Sequence, residues 1–221
     1  MRCALCVAML AGLLAAETRV IPLDPLSKLR LHNVTAQAMA YKGRQCVEIK
    51  DANPGKTLPD GSLFAIVDGA DFAGGVIDVD LTGDALPGMP EAIRGFTGVA
   101  FRIAANTSSY EAFYLRPKNG RSEDQLQRNH SAQYISMPEF PWKRLRAESP
   151  GKYETYADLA PGEWTHVKID VRGNTARLCV HGASQPTLIV NDLKHGRSHG
   201  ALALWIGPGV VAHFANLRVT R

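Results

Sequence analysis

The chain predicts an all-β fold: a two-sheet antiparallel jelly-roll sandwich with a long polar excursion over one sheet. Three observations predict it. Apolar and polar residues alternate with period two in most of the apolar stretches. These runs are short and are punctuated by glycine, proline, asparagine and aspartate, the residues of turn chemistry. No internal repeat appears, and no amphipathic helix longer than about three turns.

The elements follow in order. Arg2 precedes an uncharged run from Cys3 to Ala16, ended by Glu17, Thr18 and Arg19. The run is too short to span a bilayer and reads as a signal peptide over 1–16, cleaved near Ala15 or Ala16. The competing reading is a buried N-terminal helix. Residues 17–221 are then a single domain, secreted or periplasmic, of ordinary size for an undivided sandwich.

Strands are predicted over 44–50, 62–67, 76–82, 99–103, 109–116, 132–136, 164–171, 175–181, 187–190, 200–206 and 210–219. In 164–171, Thr165, Val167, Ile169 and Val171 share one face while His166, Lys168 and Asp170 share the other. Arg172-Gly173-Asn174 fits a hairpin tip before the next strand. Trp164 and Trp205 fall inside strand patterns and are expected in the core.

Cysteine and charge bound the chemistry. Cys3 and Cys6 leave with the signal peptide, so Cys46 and Cys179 remain. Export makes a Cys46–Cys179 disulfide feasible, and two buried free thiols fit the same strand-like runs. Ligand spacing for zinc is lacking. The formal charge of +4 is mild and does not call for nucleic acid.

A resemblance lies in specific segments. Pro161-Gly162-Glu163-Trp164-Thr165-His166-Val167-Lys168-Ile169, followed by Gly173 to Gly182, resembles the central hairpin of laminin-G-like domains. Val211 to Val219 resembles the closing strand of that superfamily, and Phe72 to Asp80 and Gly98 to Arg102 two earlier strands. Over roughly residues 30 to 221 the chain thus resembles the concanavalin A-like lectin/glucanase superfamily, nearest to bacterial secreted 3-keto-disaccharide hydrolase-like domains. The resemblance implies carbohydrate chemistry but not its kind, since one sandwich hosts lectins, glycosidases and adhesion modules. The glucanases of the superfamily carry a Glu-x-Asp-x-x-Glu strand. Asp78-Val79-Asp80 has neither glutamate, so their activity does not carry over.

The departure from a laminin-G pattern is Pro117 to Gly162. An excursion this long in a compact domain is functional or disordered, and Tyr134, Ile135, Phe140, Trp142, Leu145, Tyr153 and Tyr156 supply anchoring surface. It is expected to fold over one sheet. If Val99, Phe101 and Ile103 face the core, Gly98, Ala100 and Arg102 face out, beside Ala112, Tyr114 and Arg116. Small residues there leave room for the excursion or a ligand. Residues 116–154 hold eight Lys or Arg against five Asp or Glu, a net of +3 that equals the charge of the whole chain from Glu17. An anionic glycan is the ligand this suggests, against a solvated basic face with internal ion pairs.

The candidate substrate-binding residues are Arg102, Tyr114, Arg116, Asn119, Arg121, Gln125, Arg128, Asn129, Gln133, Tyr134 and Trp142, because arginine, amide and aromatic groups suit sugar recognition. The candidate catalytic residues are His130 with Asp124 or Glu154, and Glu111 as a further carboxylate. No metal site or cofactor motif appears, although Asp124 with Gln125 could ligate calcium as readily as cap a turn. Three functions are compatible: a carbohydrate-binding, lectin-like domain, a glycosidase using the same groove, or an adhesion module for a protein partner.

Overall fold

The computed structural model describes residues 17–56 and 62–221. The signal peptide expected over 1–16 lies outside the described residues. In chain order the strands are β1 (Thr18–Val20), β2 (Leu29–His32), β3 (Val34–Tyr41), β4 (Arg44–Asp51), β5 (Phe64–Phe72), β6 (Gly75–Ala85), β7 (Thr97–Ile103) and β8 (Tyr110–Leu115). Helix α1 (Gln125–Arg128), β9 (Ala132–Met137), α2 (Trp142–Glu148) and β10 (Glu154–Thr155) follow. The chain ends with β11 (Thr165–Arg172), β12 (Thr175–Val180), β13 (Leu188–Val190), β14 (Gly200–Ile206) and β15 (Val210–Thr220).

Two antiparallel sheets result. The eight-stranded sheet runs β13-β12-β11-β6-β15-β4-β3, with β1 on β15; the seven-stranded sheet runs β10-β9-β8-β7-β14-β5-β2. The period-two faces account for the layering. Ile77, Val79 and Leu81 of β6 and Val167, Ile169 and Val171 of β11 are buried. They meet Val99, Phe101, Phe113 and Leu204 from the other sheet to form the core. Strands β1, β2, β3 and β10 were not legible. In β3 three alanines blur the alternation, and β1, β2 and β10 are only two to four residues long.

Two expectations are corrected, and of the two cysteine readings the free thiols hold. Trp164 is not core: it lies half-buried on the outer face of the eight-stranded sheet, its Nε1 donating to Tyr41 O at 3.3 Å and Arg44 stacked 5.0 Å from its ring. Cys46 and Cys179 are free and only half-buried. Strands β11, β6 and β15 separate β12 from β4, so about 19 Å of sheet lies between the two thiols, far beyond disulfide reach. Arg102 does not face outward. Between Ala201 and Ala203 the register of β14 against β7 shifts, and Arg102 is the extra residue of the bulge, at a φ of 54°.

The bulge turns Arg102 into one end of the sandwich. Its guanidinium donates to the carbonyls of Ala73 (2.6 and 3.0 Å), Gly173 (2.6 Å) and Gly196 (2.7 Å), and meets Glu111 at 3.3 Å. One buried side chain thus ties three loop tips from both sheets.

Candidate functional site

The outer face of the seven-stranded sheet has a floor of small residues. Gly98, Ala100, Ala112 and Ala203 occupy adjacent rungs. The space they leave belongs largely to the protein. A Cβ on Gly98 would lie 2.1 Å from Phe113 O, and the Tyr114 and Trp205 rings pack with centroids 4.9 Å apart. Trp205 is buried as expected, but on this outer face, its Nε1 donating to Tyr110 Oη at 3.3 Å.

Arg116 lies one residue past the end of β8, on the same side of the sheet as Tyr114, whose hydroxyl it bonds. It is 4% exposed. Its guanidinium donates to His130 O (2.7 Å), Tyr114 Oη (2.7 Å) and Gln133 Oε1 (3.2 Å). The rings of Phe96, Tyr114 and Trp142 surround it at 5.2, 4.9 and 5.8 Å. No carboxylate contacts it among the described residues, so this buried cation is held by neutral acceptors and π faces. Burial pushes the Tyr114 hydroxyl up to about 12, against the pull of Arg116. The tyrosine therefore stays a neutral hydroxyl.

The excursion brings a second tier over this cation. Glu154 of β10 stands opposite Gln133 of β9. Arg146 clamps it through Nη2 at 2.6 Å and Nε at 2.9 and 3.1 Å, and His130 Nε2 lies 3.2 Å away. Helix α2 sets the clamp: Trp142 and Arg146 are one turn apart on one face, and Arg146 stacks 4.7 Å from the Trp142 ring. The side chains of Arg146 and His130 remain 31% and 15% exposed while Glu154 is 4% exposed. Burial lowers the His130 pKa, with Arg146 and Arg116 adding to it and Glu154 opposing. Near neutral pH the imidazole is uncharged, and Arg116 and Arg146 face the single charge of Glu154.

The structure thus brings Tyr114, Arg116, Gln133, His130, Glu154 and Trp142 together. Asn119 lies beneath them, its Nδ2 3.4 Å from His130 O and its buried Oδ1 without a protein partner. The remaining candidates lie elsewhere. Asp124 caps α1, accepting from the amides of Leu126 and Gln127. Gln125 bonds Asn129 at 2.8 Å, Arg128 bonds Tyr156 Oη at 3.1 Å, and Arg121 pairs with Asp158 at 2.9 Å, all on exposed surface. Tyr134 lies on the inner face, donating to Glu111 at 2.6 Å in the network that holds Arg102. Arg146, Phe96 and Trp205 belong to the cluster although sequence reasoning did not select them. The Trp-x-x-x-Arg spacing was the available signal for Arg146.

Solved structures share this architecture. The carbohydrate-binding module CBM66 from Bacillus subtilis aligns over 87% of this chain and 95% of its own, at 13% identity and a TM-score of 0.58. A Bacillus subtilis protein of unknown function with a galectin-like fold aligns over 94% and 100%, at 11% identity and 0.56. A β-1,3-1,4-glucanase (lichenase) from a mouse hindgut metagenome aligns over 85% and 82%, at 12% identity and 0.50. No family model matches the chain, and no curated protein matches it in sequence. The fold is therefore a concanavalin A-like jelly-roll sandwich. No helix among the described residues is long and apolar enough to cross a membrane.

Proposed function

We propose that this protein is a secreted carbohydrate-binding domain that holds an anionic glycan over the outer face of the seven-stranded sheet. The observation that carries this reading is Arg116, a buried cation without a carboxylate partner, beneath the part-exposed pair Arg146 and His130. A ligand carboxylate or sulfate would supply the missing negative charge through Arg146 and the field of Arg116. Trp142 offers an apolar surface beside it. The kinship of fold with a carbohydrate-binding module and a galectin-like protein supports the ligand class.

The arrangement favours binding over cleavage. Retaining hydrolysis uses two carboxyl groups about 5–5.5 Å apart. Glu154 is committed to Arg146 and His130, Asp124 caps a helix, and Glu111 is buried on the inner face. A glycosidase of the 3-keto-disaccharide hydrolase type is the second reading, favoured by the His130–Glu154 contact at 3.2 Å.

The test offers the protein from Glu17 a panel of neutral, uronic and sulfated oligosaccharides, reading retention and released products together. Uronic or sulfated chains should be retained without products, and Arg146→Ala should weaken retention at least tenfold, with Trp142→Ala also reducing it. Products that vanish in His130→Ala would establish the hydrolase instead. Retention indifferent to Arg146→Ala would sink the assignment of the site.

A further inference from the structure

The opposite face of the sandwich carries an independent recess. Four strands of the eight-stranded sheet set two adjacent rungs side by side there. One rung runs Thr82–His213–Glu48–Gln37 across β6, β15, β4 and β3; the next runs Asp84–Val211–Lys50–Thr35. The alternation that buries Leu81, Ala212 and Ile49 inside turns these residues outward. The β6–β7 connection at Leu86 and Pro87 walls one side, leaving a half-open recess of about 400 Å³.

Its floor is built and held. The Tyr41 ring stacks on the His213 imidazole, centroids 3.7 Å apart and planes 8° from parallel. The His213 amide donates to Thr82 Oγ1 at 3.1 Å, which frees that hydroxyl to donate to His213 Nδ1 at 3.0 Å. The ring proton then sits on Nε2, 3.4 Å from Glu48 Oε2. Glu48 also pairs with Lys50 at 2.6 Å, and Asp84 faces Lys118 at 4.0 Å. Lys118 stands outside the lining, so among the charged groups that line the recess Lys50 is paired with Glu48 and Asp84 adds a second carboxylate: the recess presents no excess positive charge.

Hydrogen-bonding capacity remains on its rim. Asp84 Oδ1 accepts the Ala85 amide at 2.7 Å, while Oδ2 has no hydrogen-bond partner among the described residues. Lys50 has further protons to give, and Tyr41 Oη, which donates to Gly162 O at 3.1 Å, can still accept. Met39, Leu86, Pro87 and Val211 supply apolar wall between them. A few fixed polar groups set among apolar and aromatic surface, without excess positive charge, match a neutral polyhydroxylated ring rather than an anionic one.

We propose that this recess is a second ligand site, taking one neutral sugar-like ring on the face opposite the basic cluster. The domain would then hold two saccharides at once, one on each sheet and of different charge.

Calorimetry and saturation-transfer NMR on the protein from Glu17, with methyl glucoside, methyl galactoside and glucuronate as probes, test this. A neutral methyl glycoside should bind saturably, and Val211→Trp, which fills the recess, should weaken it at least tenfold. Arg146→Ala should leave that binding unchanged, and glucuronate should gain nothing from its charge there. Where Val211→Trp fails to fold by circular dichroism, Asp84→Ala decides: a tenfold loss supports the site and unchanged binding overturns it. Absence of saturable neutral-sugar binding also overturns it. So does binding that Arg146→Ala removes and Val211→Trp spares, an outcome that would leave the proposed function standing.

Discussion

Arg102 shows how far a single residue can depart from its sequence pattern for a physical reason. Alternation places it outward; one inserted residue in the ladder rotates it into the core end, where Glu111 and three carbonyls satisfy it. Arg102→Ala would leave the Glu111 carboxylate buried with the Tyr134 hydroxyl as its main remaining donor. Loss of one partner of such a pair costs about 3–5 kcal/mol. A urea titration of the variant should show an unfolding free energy lowered by that amount, and a loss below about 1 kcal/mol would show that the network is dispensable.

At the scale of elements, the excursion is the informative case. Its anchoring residues and its strand at 132–136 were legible because Tyr134 and Ile135 stand in a β-rich run between turn residues. The tie that closes it, Glu154 against Gln133, was not, because a two-residue strand has no period to detect. Gly98 marks where the strand beneath meets its neighbour. Gly98→Ala drives a Cβ to within 2.1 Å of Phe113 O and 2.6 Å of the Tyr114 Cα. The strands must separate, which should cost roughly 1–3 kcal/mol and be visible as a lowered thermal midpoint. An unchanged midpoint would mean that β7 and β8 slide without penalty. The same displacement would move Tyr114 and Arg116, so anionic-glycan retention should fall with it.

For the whole molecule, the two-sheet architecture could be read from period-two faces and turn residues, because those follow from burial alone. The candidate site was half legible: Tyr114, Arg116, Gln133, His130, Glu154 and Trp142 converge, while Asp124 and Tyr134 are spent on capping and packing. Convergence depends on which strand lies beside which, and that information is non-local. The two sheets also share an electrostatic property. Burial holds both His130, on one face, and His213, on the other, below the ordinary histidine value of 6.5. The unfolded chain therefore binds more protons than the native one in the interval below about pH 6.5, and stability falls as pH drops through it. Denaturant midpoints should decrease from pH 7.5 to pH 5, and His130→Asn and His213→Asn should each flatten that slope. A midpoint independent of pH over this range would contradict neutral burial at both positions.

The loop-tip clamp at Arg102 has a consequence for the order of folding. Its carbonyl partners lie 29, 71 and 94 residues away along the chain. Those bonds form only after long loops have closed and both sheets have docked, so they belong to the native side of the folding barrier. An interaction absent from the transition state slows unfolding without hastening folding. In stopped-flow measurements the Arg102→Ala penalty should therefore appear almost wholly as faster unfolding, with the refolding limb unmoved. One bulge residue would then set how long the sandwich, once closed, stays closed.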